Sequence, residues 1–160
     1  MVIRSAHAPD EDSIWRILEP VLREGETFAQ PRDLGPDAAL GYWMHQDHEV
    51  FVAEDEGVVV GSYFLRPNQR GGGSHVANAG YMTSPTARGR GVARAMLEHS
   101  LAHARARGYR AMQFNFVVST NERAIAIWLA YGFEIVGRLP QAFEHPHYGL
   151  VDALVMFKTL

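Results

Sequence analysis

Apolar positions near the start of the chain recur at the spacing of one helical face. The run DEDSIWRILEPVLREG carries acidic residues in its first turn, where the helix dipole favours them. Its apolar residues fall on one side of a helix: Ile14, Ile17, Leu18, Val21 and Leu22. A short extended run over residues 1–5 precedes this helix, and PDAALGYWMHQ predicts a second, weaker one.

The middle of the chain changes to an extended pattern. EVFVAE and VVVGSYFLRP are rich in β-branched and aromatic residues, and the DEG between them, with Gly57 free to adopt a positive φ, predicts a hairpin. A third extended run, HVANAGYMTS, ends at Pro85. A helical apolar stripe then runs from Gly91 to Gly108, so a long helix begins at a Gly-rich turn.

The last third of the chain continues this mixture of strands and helices. AMQFNFVV predicts a strand, and STNERAIAIWLAYGF predicts a helix that Ser119, Thr120 or Asn121 could cap and that Gly132 closes. FEIVGRL and LVDALVMF predict two final strands, separated by a loop, PQAFEHPHYG. The element order β-α-α-β-β-β-α-β-α-β-β indicates a mixed α/β fold. If the last strand is exposed, it could pair across a homodimer.

Composition narrows the class of protein and the chemistry available to it. With 160 residues, 47% apolar and 21% charged, the chain is expected to form one globular domain over residues 1–160. A formal net charge of −3 gives no general attraction to nucleic acid or to an anionic membrane. The absence of cysteine excludes disulfides, thiolate metal sites and a cysteine nucleophile. No apolar run approaches the roughly 20 residues of a membrane span, and the N-terminus turns polar too early for a signal peptide, so we expect a cytoplasmic protein.

The glycines at the start of the long helix suit the binding of an anion. A strand that enters a Gly-rich turn and then a helix directs free backbone N–H groups and the positive helix end to one point. Gly89 and Gly91 let a phosphate approach the backbone, Ala93 keeps the first turn slim, and Arg88 and Arg90 can add charge-assisted hydrogen bonds. The alternative is a Gly-rich helix start that binds nothing.

Two motifs carry a family resemblance. SPTARGRGVARAML resembles motif A of the GCN5-related N-acetyltransferases (the GNAT family), whose Gln/Arg-x-x-Gly-x-Gly/Ala core falls on Arg88, Gly91 and Ala93. NERAIAIWLAYGFE is similar to the same family's second signature, an Asn that opens a helix ending in Gly-Phe, here Asn121 and 132–133. The two motifs occur in the family's order with a strand between them, and the first two predicted helices fit the family more loosely.

The resemblance implies both a fold and a co-substrate. The fold would be a mixed, mostly antiparallel central sheet of six or seven strands, flanked by about four helices and splayed between strands 4 and 5. The co-substrate would be acetyl-CoA, without a metal, and its pantetheine would pair like an added strand with the segment Tyr81, Met82 and Thr83. Its pyrophosphate would lie on the backbone amides of Arg88, Gly89, Arg90, Gly91, Val92 and Ala93, and Asn121 and Trp128 would complete the site.

This chain differs from the family's usual pattern at the residue that donates a proton to the leaving thiolate. Many members place a Tyr where this chain has Trp128, and an indole N–H cannot supply a proton in this pH range. Tyr131, three residues further along, is a candidate acid. Asn121 is the other catalytic candidate, because its amide could hold the thiolate or an ordered water without titrating.

Two asparagines interrupt predicted strands, Asn78 in VANAGYM and Asn115 in QFNFVV. Asn is depleted in strand interiors, so each residue marks a bulge, bonds its amide to backbone, or donates to a substrate carboxylate. NAGYM, FNFVVSTN and DALVM resemble the proline-analogue branch of the family, the azetidine-2-carboxylate N-acetyltransferases. In that branch, asparagines matching Asn78, Asn115 and Asn121 line the acceptor and thioester site, which implies a small amino or imino acid as acceptor.

Histidines form two further groups. His99 and His103 share a helix face, but the arginines beside them indicate a solvated face, and we expect no metal there. His145 and His147 lie in the last predicted loop, either as part of a polar loop or as a base together with Glu144.

The leading hypothesis is therefore an acetyl-CoA-dependent N-acetyltransferase that acts by direct transfer to a small-molecule amine. The acceptor could instead be a polyamine, an antibiotic amine or a protein N-terminus. A non-catalytic, acyl-CoA-binding regulatory module is the alternative from another class, and Trp128 in place of Tyr is the feature in its favour.

Overall fold

A computed structural model describes residues 1–160 and contains one seven-stranded sheet. Its strands are β1 (Val2–Ser5), β2 (Glu49–Asp55), β3 (Val58–Pro67), β4 (Val76–Thr83), β5 (Ala111–Val118), β6 (Glu134–His145) and β7 (Gly149–Thr159). The spatial order is β1-β2-β3-β4-β5-β7-β6, and every neighbouring pair is antiparallel except β4 with β5. The helices are α1 (Glu11–Glu24), α2 (Pro36–Trp43), α3 (Val92–Ala106) and α4 (Glu122–Ala130). The predicted mixed fold is confirmed.

The helices cover the two faces of the sheet and bury two apolar cores. Side chains of successive strand residues alternate between the faces, so each strand contributes to both. Under α1 and α2 the core includes Trp43, Phe64 and Met82. Under α3 and α4 it includes Leu97 and Trp128. The sheet therefore separates the two cores, and a ligand can pass from one face to the other only where neighbouring strands diverge.

The strands part between β4 and β5. Their parallel pairing is limited to Val76 with Ala111 and Ala77 with Met112, and beyond these residues the two strands diverge. On its other side β5 shifts register against β7 between Phe114 and 117. The predicted splay between the fourth and fifth strands is thus present, as a gap through the sheet.

The C-terminal hairpin corrects two predictions. The segment predicted as a loop, PQAFEHPHYG, is largely strand, because β6 continues to His145 and only a short turn separates it from β7. A register shift between Leu139 and Phe143, with Gln141 at φ +49°, lets the edge strand absorb Pro140. The last strand is also not an edge: β7 lies between β5 and β6, so pairing of the last strand across a dimer is wrong.

The predicted solvated face of α3 is wrong as well. His99 and His103 are half-buried against the sheet. The Tyr63 hydroxyl and His99 Nδ1 are 2.7 Å apart, and His103 Nε2 lies 2.9 Å from a carboxylate oxygen of Glu49. Burial lowers the pKa of His99. No helix of the structure is long and apolar enough to cross a membrane.

Candidate active site

A cleft of about 930 Å³ passes through the gap between β4 and β5. At one end it reaches the start of α3, with Gly89 and Gly91 in its wall. At the other end, under α1 and α2, it is lined by Tyr42, Phe64 and Arg66. The cleft therefore has room for one ligand to enter from each face of the sheet, and the two ligands would meet at the gap.

The start of α3 has the conformation that an anion site needs. Gly89 and Gly91 have φ values of +81° and +80°, in the left-handed region that favours glycine, and a Cβ on either would meet no protein atom within 4 Å. The space above them is thus open. Six backbone N–H groups there have no backbone acceptor, those of Arg88, Gly89, Gly91, Val92, Ala93 and Arg94. The N–H of Arg90 differs from the prediction, because it donates to the Ala87 carbonyl at 3.3 Å.

The two arginine side chains predicted at the phosphate rim are each paired with a carboxylate. Arg88 lies 3.2 Å from a carboxylate oxygen of Glu24, and Arg90 forms an ion pair with Asp55. Both arginines are exposed; Arg88 and Glu24 line the cleft, and Arg90 and Asp55 do not. Arg94, in the first turn of α3, lines the cleft without a carboxylate partner and is the cation that sequence reasoning passed over.

Hydrogen bonding in β4 alternates along the strand. The Ser84 N–H donates to the Val60 carbonyl and the Asn68 N–H donates to the Val76 carbonyl, both at 2.8 Å. These bonds fix the phase of the antiparallel β3–β4 ladder, whose register is unbroken from Gly61 to Pro67. Even-numbered residues of β4 therefore direct their backbone groups to β3, and odd-numbered residues direct theirs toward β5.

This alternation divides the predicted cofactor segment. Tyr81 and Thr83 lie beyond the last β4–β5 pair at Ala77, so their N–H and C=O groups face the gap. The backbone groups of Met82 face β3, and its side chain is buried under α1 and α2. Two of the three predicted residues present a free strand edge, and Met82 does not.

Aromatic side chains form the wall of the cleft beside α4. The Tyr81 hydroxyl lies 2.7 Å from Ser100 Oγ, and burial raises the pKa of Tyr81. Trp128 lines the cleft, with its ring centre 5.1 Å from that of Tyr81 and 5.0 Å from that of Phe114. The Trp128 indole N–H has no acceptor in the protein, yet it is not buried without a partner, so it reaches open space.

Asn121 stands at the N-cap of α4 and does not cap it. Its backbone carbonyl accepts the first helical bond, from the Ile125 N–H at 3.1 Å, but its side-chain amide makes no capping hydrogen bond. Asn at this position ordinarily bonds an exposed amide of the first turn. Here the amide remains available to a ligand, because Asn121 lines the cleft.

Tyr131 lies away from the cleft. It follows the last residue of α4, and its hydroxyl donates to the carboxylate of Glu98 on α3, which raises the pKa of Tyr131. It is absent from the residues that line either cavity. The geometry therefore gives no support to Tyr131 as the acid that the sequence suggested.

The two strand asparagines line the cleft, and their amides already have partners. Asn78 Nδ2 donates to the Gln113 carbonyl at 3.0 Å, which is the backbone-bonded arrangement weighed as an alternative. Asn115 Nδ2 donates to Asn68 Oδ1 at 2.6 Å, and Asn115 Oδ1 accepts from Gln113 Nε2 at 2.8 Å. The Asn78 bond joins β4 to β5 at the point where the gap opens, and the bond from Asn115 to Asn68 joins β5 to the segment after β3.

A smaller cavity of about 230 Å³ adjoins the cleft at Asn121 and contains His145 and His147. The Nδ1 atom of His145 faces the backbone N–H groups of His147 and Tyr148 at 3.1 and 3.3 Å. The neutral ring therefore carries its proton on Nε2 and acts as a donor. Glu144 is exposed and lines neither cavity, so the geometry does not support a base formed with it.

Arg66 is a cleft residue that sequence reasoning missed. Its Nε donates to Asn78 Oδ1 at 3.1 Å, and its guanidinium lies 6.0 Å from the centre of the Phe64 ring. The period of a strand, which places Arg66 on the face of Phe64, was the available signal. No group of three or more His, Asp or Glu side chains is arranged to hold a metal ion.

Comparison with known proteins gives consistent matches. The model of the Acetyltransferase (GNAT) family matches residues 12–133. N-acetyltransferase aca1 of Schizosaccharomyces pombe is 32% identical over 98 residues, which is 61% of this chain and about half (47%) of that curated relative.

Solved structures match over nearly the whole chain. A GCN5-related N-acetyltransferase from Kribbella flavida is 38% identical, with a TM-score of 0.95 over 99% of this chain and 97% of that chain. A phosphinothricin acetyltransferase of the GNAT superfamily from Sinorhizobium meliloti, solved with acetyl-CoA, is 24% identical, with a TM-score of 0.87 over 99% and 88%. The second likeness concerns the fold alone.

Proposed function

This chain belongs to the GNAT family of acetyltransferases, as its two motifs predicted, and we propose that it transfers the acetyl group of acetyl-CoA directly to the nitrogen of a small amino or imino acid. The observation that carries the proposal is the gap between β4 and β5. A free strand edge at Tyr81 and Thr83 leads there from the open amides at the start of α3.

The co-substrate fits the donor groups of the cleft. The pyrophosphate of acetyl-CoA would accept hydrogen bonds from the free amides at Gly89, Gly91, Val92 and Ala93, with the helix dipole favouring its charge. Pantetheine carries amides, which would pair with the backbone of Tyr81 and Thr83 as an added strand does. Such pairing would bring the thioester toward Asn121 and Trp128, which line the same cleft.

Direct transfer does not require the protein to supply a titrating side chain. The neutral acceptor nitrogen attacks the thioester carbonyl, the C–S bond breaks, and the thiolate leaves with the electron pair of that bond. A gap-facing N–H of β4 would stabilise the negative charge that develops on the carbonyl oxygen. The side-chain amide of Asn121 would donate to the thiolate. The attacking nitrogen becomes positively charged as its bond to the carbonyl carbon forms, and the proton that it then loses passes to the thiolate directly or through water.

The residues at the far end of the cleft support the proposed acceptor class. An aromatic wall of Tyr42 and Phe64 bounds that end, and Asn78 and Asn115 stand at the opening of the gap. The asparagines match the positions at which the chain resembles the azetidine-2-carboxylate N-acetyltransferases. Phosphinothricin acetyltransferase, which shares the fold, is named for a small-molecule acceptor.

A non-catalytic acyl-CoA-binding module is the second candidate. The observation that favours it is Trp128, buried in the cleft wall where a Tyr would offer a titrating hydroxyl. Such a module would gain thermal stability with acetyl-CoA and would release no CoA with any acceptor.

The deciding experiment measures CoA thiol release with a disulfide reagent, against azetidine-2-carboxylate, proline, other amino acids, polyamines, aminoglycosides and N-terminal peptides. The chain has no cysteine, so it contributes no background signal. Turnover that selects amino or imino acids supports the proposal. Turnover only with another amine class contradicts the acceptor assignment, and stabilisation by acetyl-CoA without turnover supports the regulatory module.

A further inference from the structure

We infer that Arg66 is the carboxylate anchor of the acceptor site, so that the acceptor must carry a carboxylate close to its reacting nitrogen. This inference rests on the proposed function and deepens it. It departs from the sequence-based hypothesis, in which Asn78 and Asn115 donate to that carboxylate.

The first observation is the free charge of Arg66. Of its guanidinium nitrogens only Nε is bonded to the protein, to Asn78, and no carboxylate lies within ion-pair distance. Three other arginines line the cleft, Arg88, Arg94 and Arg123, and all three are exposed, whereas Arg66 is half-buried. Keeping a cation away from water without a counter-charge is costly, and a bound anion relieves that cost.

The second observation is how firmly Arg66 is held. Asn78 accepts from Arg66 Nε through Oδ1 and is itself fixed by its donation to the Gln113 carbonyl. The remaining nitrogens Nη1 and Nη2 form the planar fork that matches a carboxylate with two parallel hydrogen bonds. Asn78 is thus a positioning residue for Arg66, which explains why its amide is not free.

The wall behind Arg66 is also fixed. The Phe64 ring stacks on His48 with centres 4.1 Å apart, and meets Trp43 edge to face at 5.1 Å. Gly80 lets the ring lie against β4, because a Cβ there would stand 2.6 Å from the Phe64 ring. An arginine lying over this ring is pre-organised and loses little freedom when it binds an anion.

The place of Arg66 brings a bound carboxylate close to the start of the gap. Arg66 pairs with Asn78, the first residue of β4 beyond the last β4–β5 pair, on the sheet face covered by α1 and α2. By the alternation along β4, the gap-facing backbone begins at Ala79, the next residue along the strand, and that of Tyr81 lies three residues beyond Asn78. An α-amino or imino acid, with one carbon between carboxylate and nitrogen, can bind the fork and present its nitrogen to the gap.

The test compares each acceptor acid with its carboxamide in the wild-type protein, Arg66→Gln and Arg66→Lys. Arg70→Gln is the matched control, because Arg70 lies just beyond β3 and its side chain is 97% exposed. In Arg66→Gln we expect kcat/KM for the acid to fall about 10- to 100-fold, the value of losing a charged hydrogen-bond partner, with the carboxamide unchanged. Arg66→Lys should fall in between, and Arg70→Gln and the KM for acetyl-CoA should not change.

Several results would overturn the inference. Equal losses for acid and carboxamide would mean that Arg66 only supports Phe64 and Asn78, and no loss for either would mean that it does not touch the acceptor. In both cases the proposed acetyl transfer would stand. Wild-type turnover restricted to acceptors without a carboxylate would overturn the inference directly.

Failure of the proposed function would be recognised separately. If no acceptor is acetylated, calorimetry with the CoA-saturated protein measures the binding of azetidine-2-carboxylate, proline and their amides. Binding of the acids that Arg66→Gln abolishes would support the anchor without catalysis. Absence of acid binding to the wild-type protein would overturn it.

Discussion

The side-chain amide of Asn78 donates to the backbone carbonyl of Gln113 at 3.0 Å, across the point where β4 and β5 cease to pair. This side-chain hydrogen bond takes the place of the next backbone hydrogen bond that a continued β4–β5 pairing would have formed. The carbonyl of Gln113 would otherwise lose its partner as the strands diverge, and an unpartnered carbonyl in a sheet is costly. One residue therefore holds the base of the gap and, through its Oδ1, the guanidinium of Arg66.

We predict that Asn78→Ala lowers the free energy of unfolding by about 1–3 kcal/mol, because it leaves the Gln113 carbonyl without a donor. It should also raise the KM for the acceptor while leaving the KM for acetyl-CoA unchanged. Urea denaturation and steady-state kinetics measure the two effects. Asn115→Ala is the matched control: its amide bonds to the side chain of Asn68 on the half-exposed side of the gap, so its cost should be smaller. A larger loss of stability in Asn115→Ala would contradict this account.

Substitutions of Asn121 and Tyr131 should have very different effects on kcat. Asn121→Ala should lower kcat by about 100-fold, the size expected for losing a donor aimed at developing negative charge. Tyr131→Phe should retain most activity, because the hydroxyl that it removes bonds to Glu98 outside the cleft. Thiol-release kinetics at saturating acetyl-CoA distinguish the two variants, with circular dichroism as a check on folding. A larger loss of kcat in Tyr131→Phe than in Asn121→Ala would support Tyr131 as the proton donor.

Local patterns were sufficient to predict the elements that build the cofactor side of the site. The start of α3 could be recognised because a positive φ and a helix start both leave marks on the sequence, in Gly89 and Gly91. The start of α4 was narrowed to three candidates, Ser119, Thr120 and Asn121, of which Asn121 occupies the N-cap position. Each of these features depends on residues within one turn of one another.

Features that depend on register could not be predicted. The β3–β4 pairing decides that Tyr81 and Thr83, and not Met82, face the gap, and a shift by one residue would reverse the choice. The strand period predicts that Arg66 shares the face of Phe64, but only the register sets it opposite Asn78 at the start of the gap. The extension of β6 was hidden by Pro140, which a bulge in an edge strand tolerates.

The glycines of α3 should matter for acetyl-CoA beyond their effect on folding. Gly91→Ala forces an L residue into φ +80°, which costs about 1 kcal/mol, and adds a methyl group to the open surface where a phosphate would lie. Gly57→Ala is the matched control, since Gly57 has φ +79°, also has open space around its Cβ position, and lies in the β2–β3 turn. Both variants should lose similar stability, and only Gly91→Ala should weaken acetyl-CoA binding measured by calorimetry. If Gly91→Ala and Gly57→Ala bound acetyl-CoA with equal affinity, the phosphate would not bind at the Gly91 turn.

The ion pair between Arg4 and Asp10 should set the acid limit of folding. Both Asp10 oxygens accept from Arg4, at 2.8 and 2.9 Å, and these bonds lower the pKa of Asp10 from 3.8 to about 2. A carboxyl whose pKa is lower in the folded protein adds stability above the pKa of the unfolded chain and loses it as the pH falls through the folded value. Because Arg4 is more than a third exposed, we expect about 1 kcal/mol, present above pH 3.8 and lost on acidification to about pH 2.

Urea denaturation across this range measures the effect as a slope of the unfolding free energy against pH. Asp10→Asn should be less stable at neutral pH and should flatten the slope below pH 3.8, because its side chain no longer titrates. Asp12→Asn provides the control, since Asp12 is exposed in the first turn of α1 and forms no ion pair. If Asp10→Asn kept the full wild-type slope, the acid sensitivity would arise elsewhere, and the pair joining β1 to the start of α1 would contribute nothing measurable to folding.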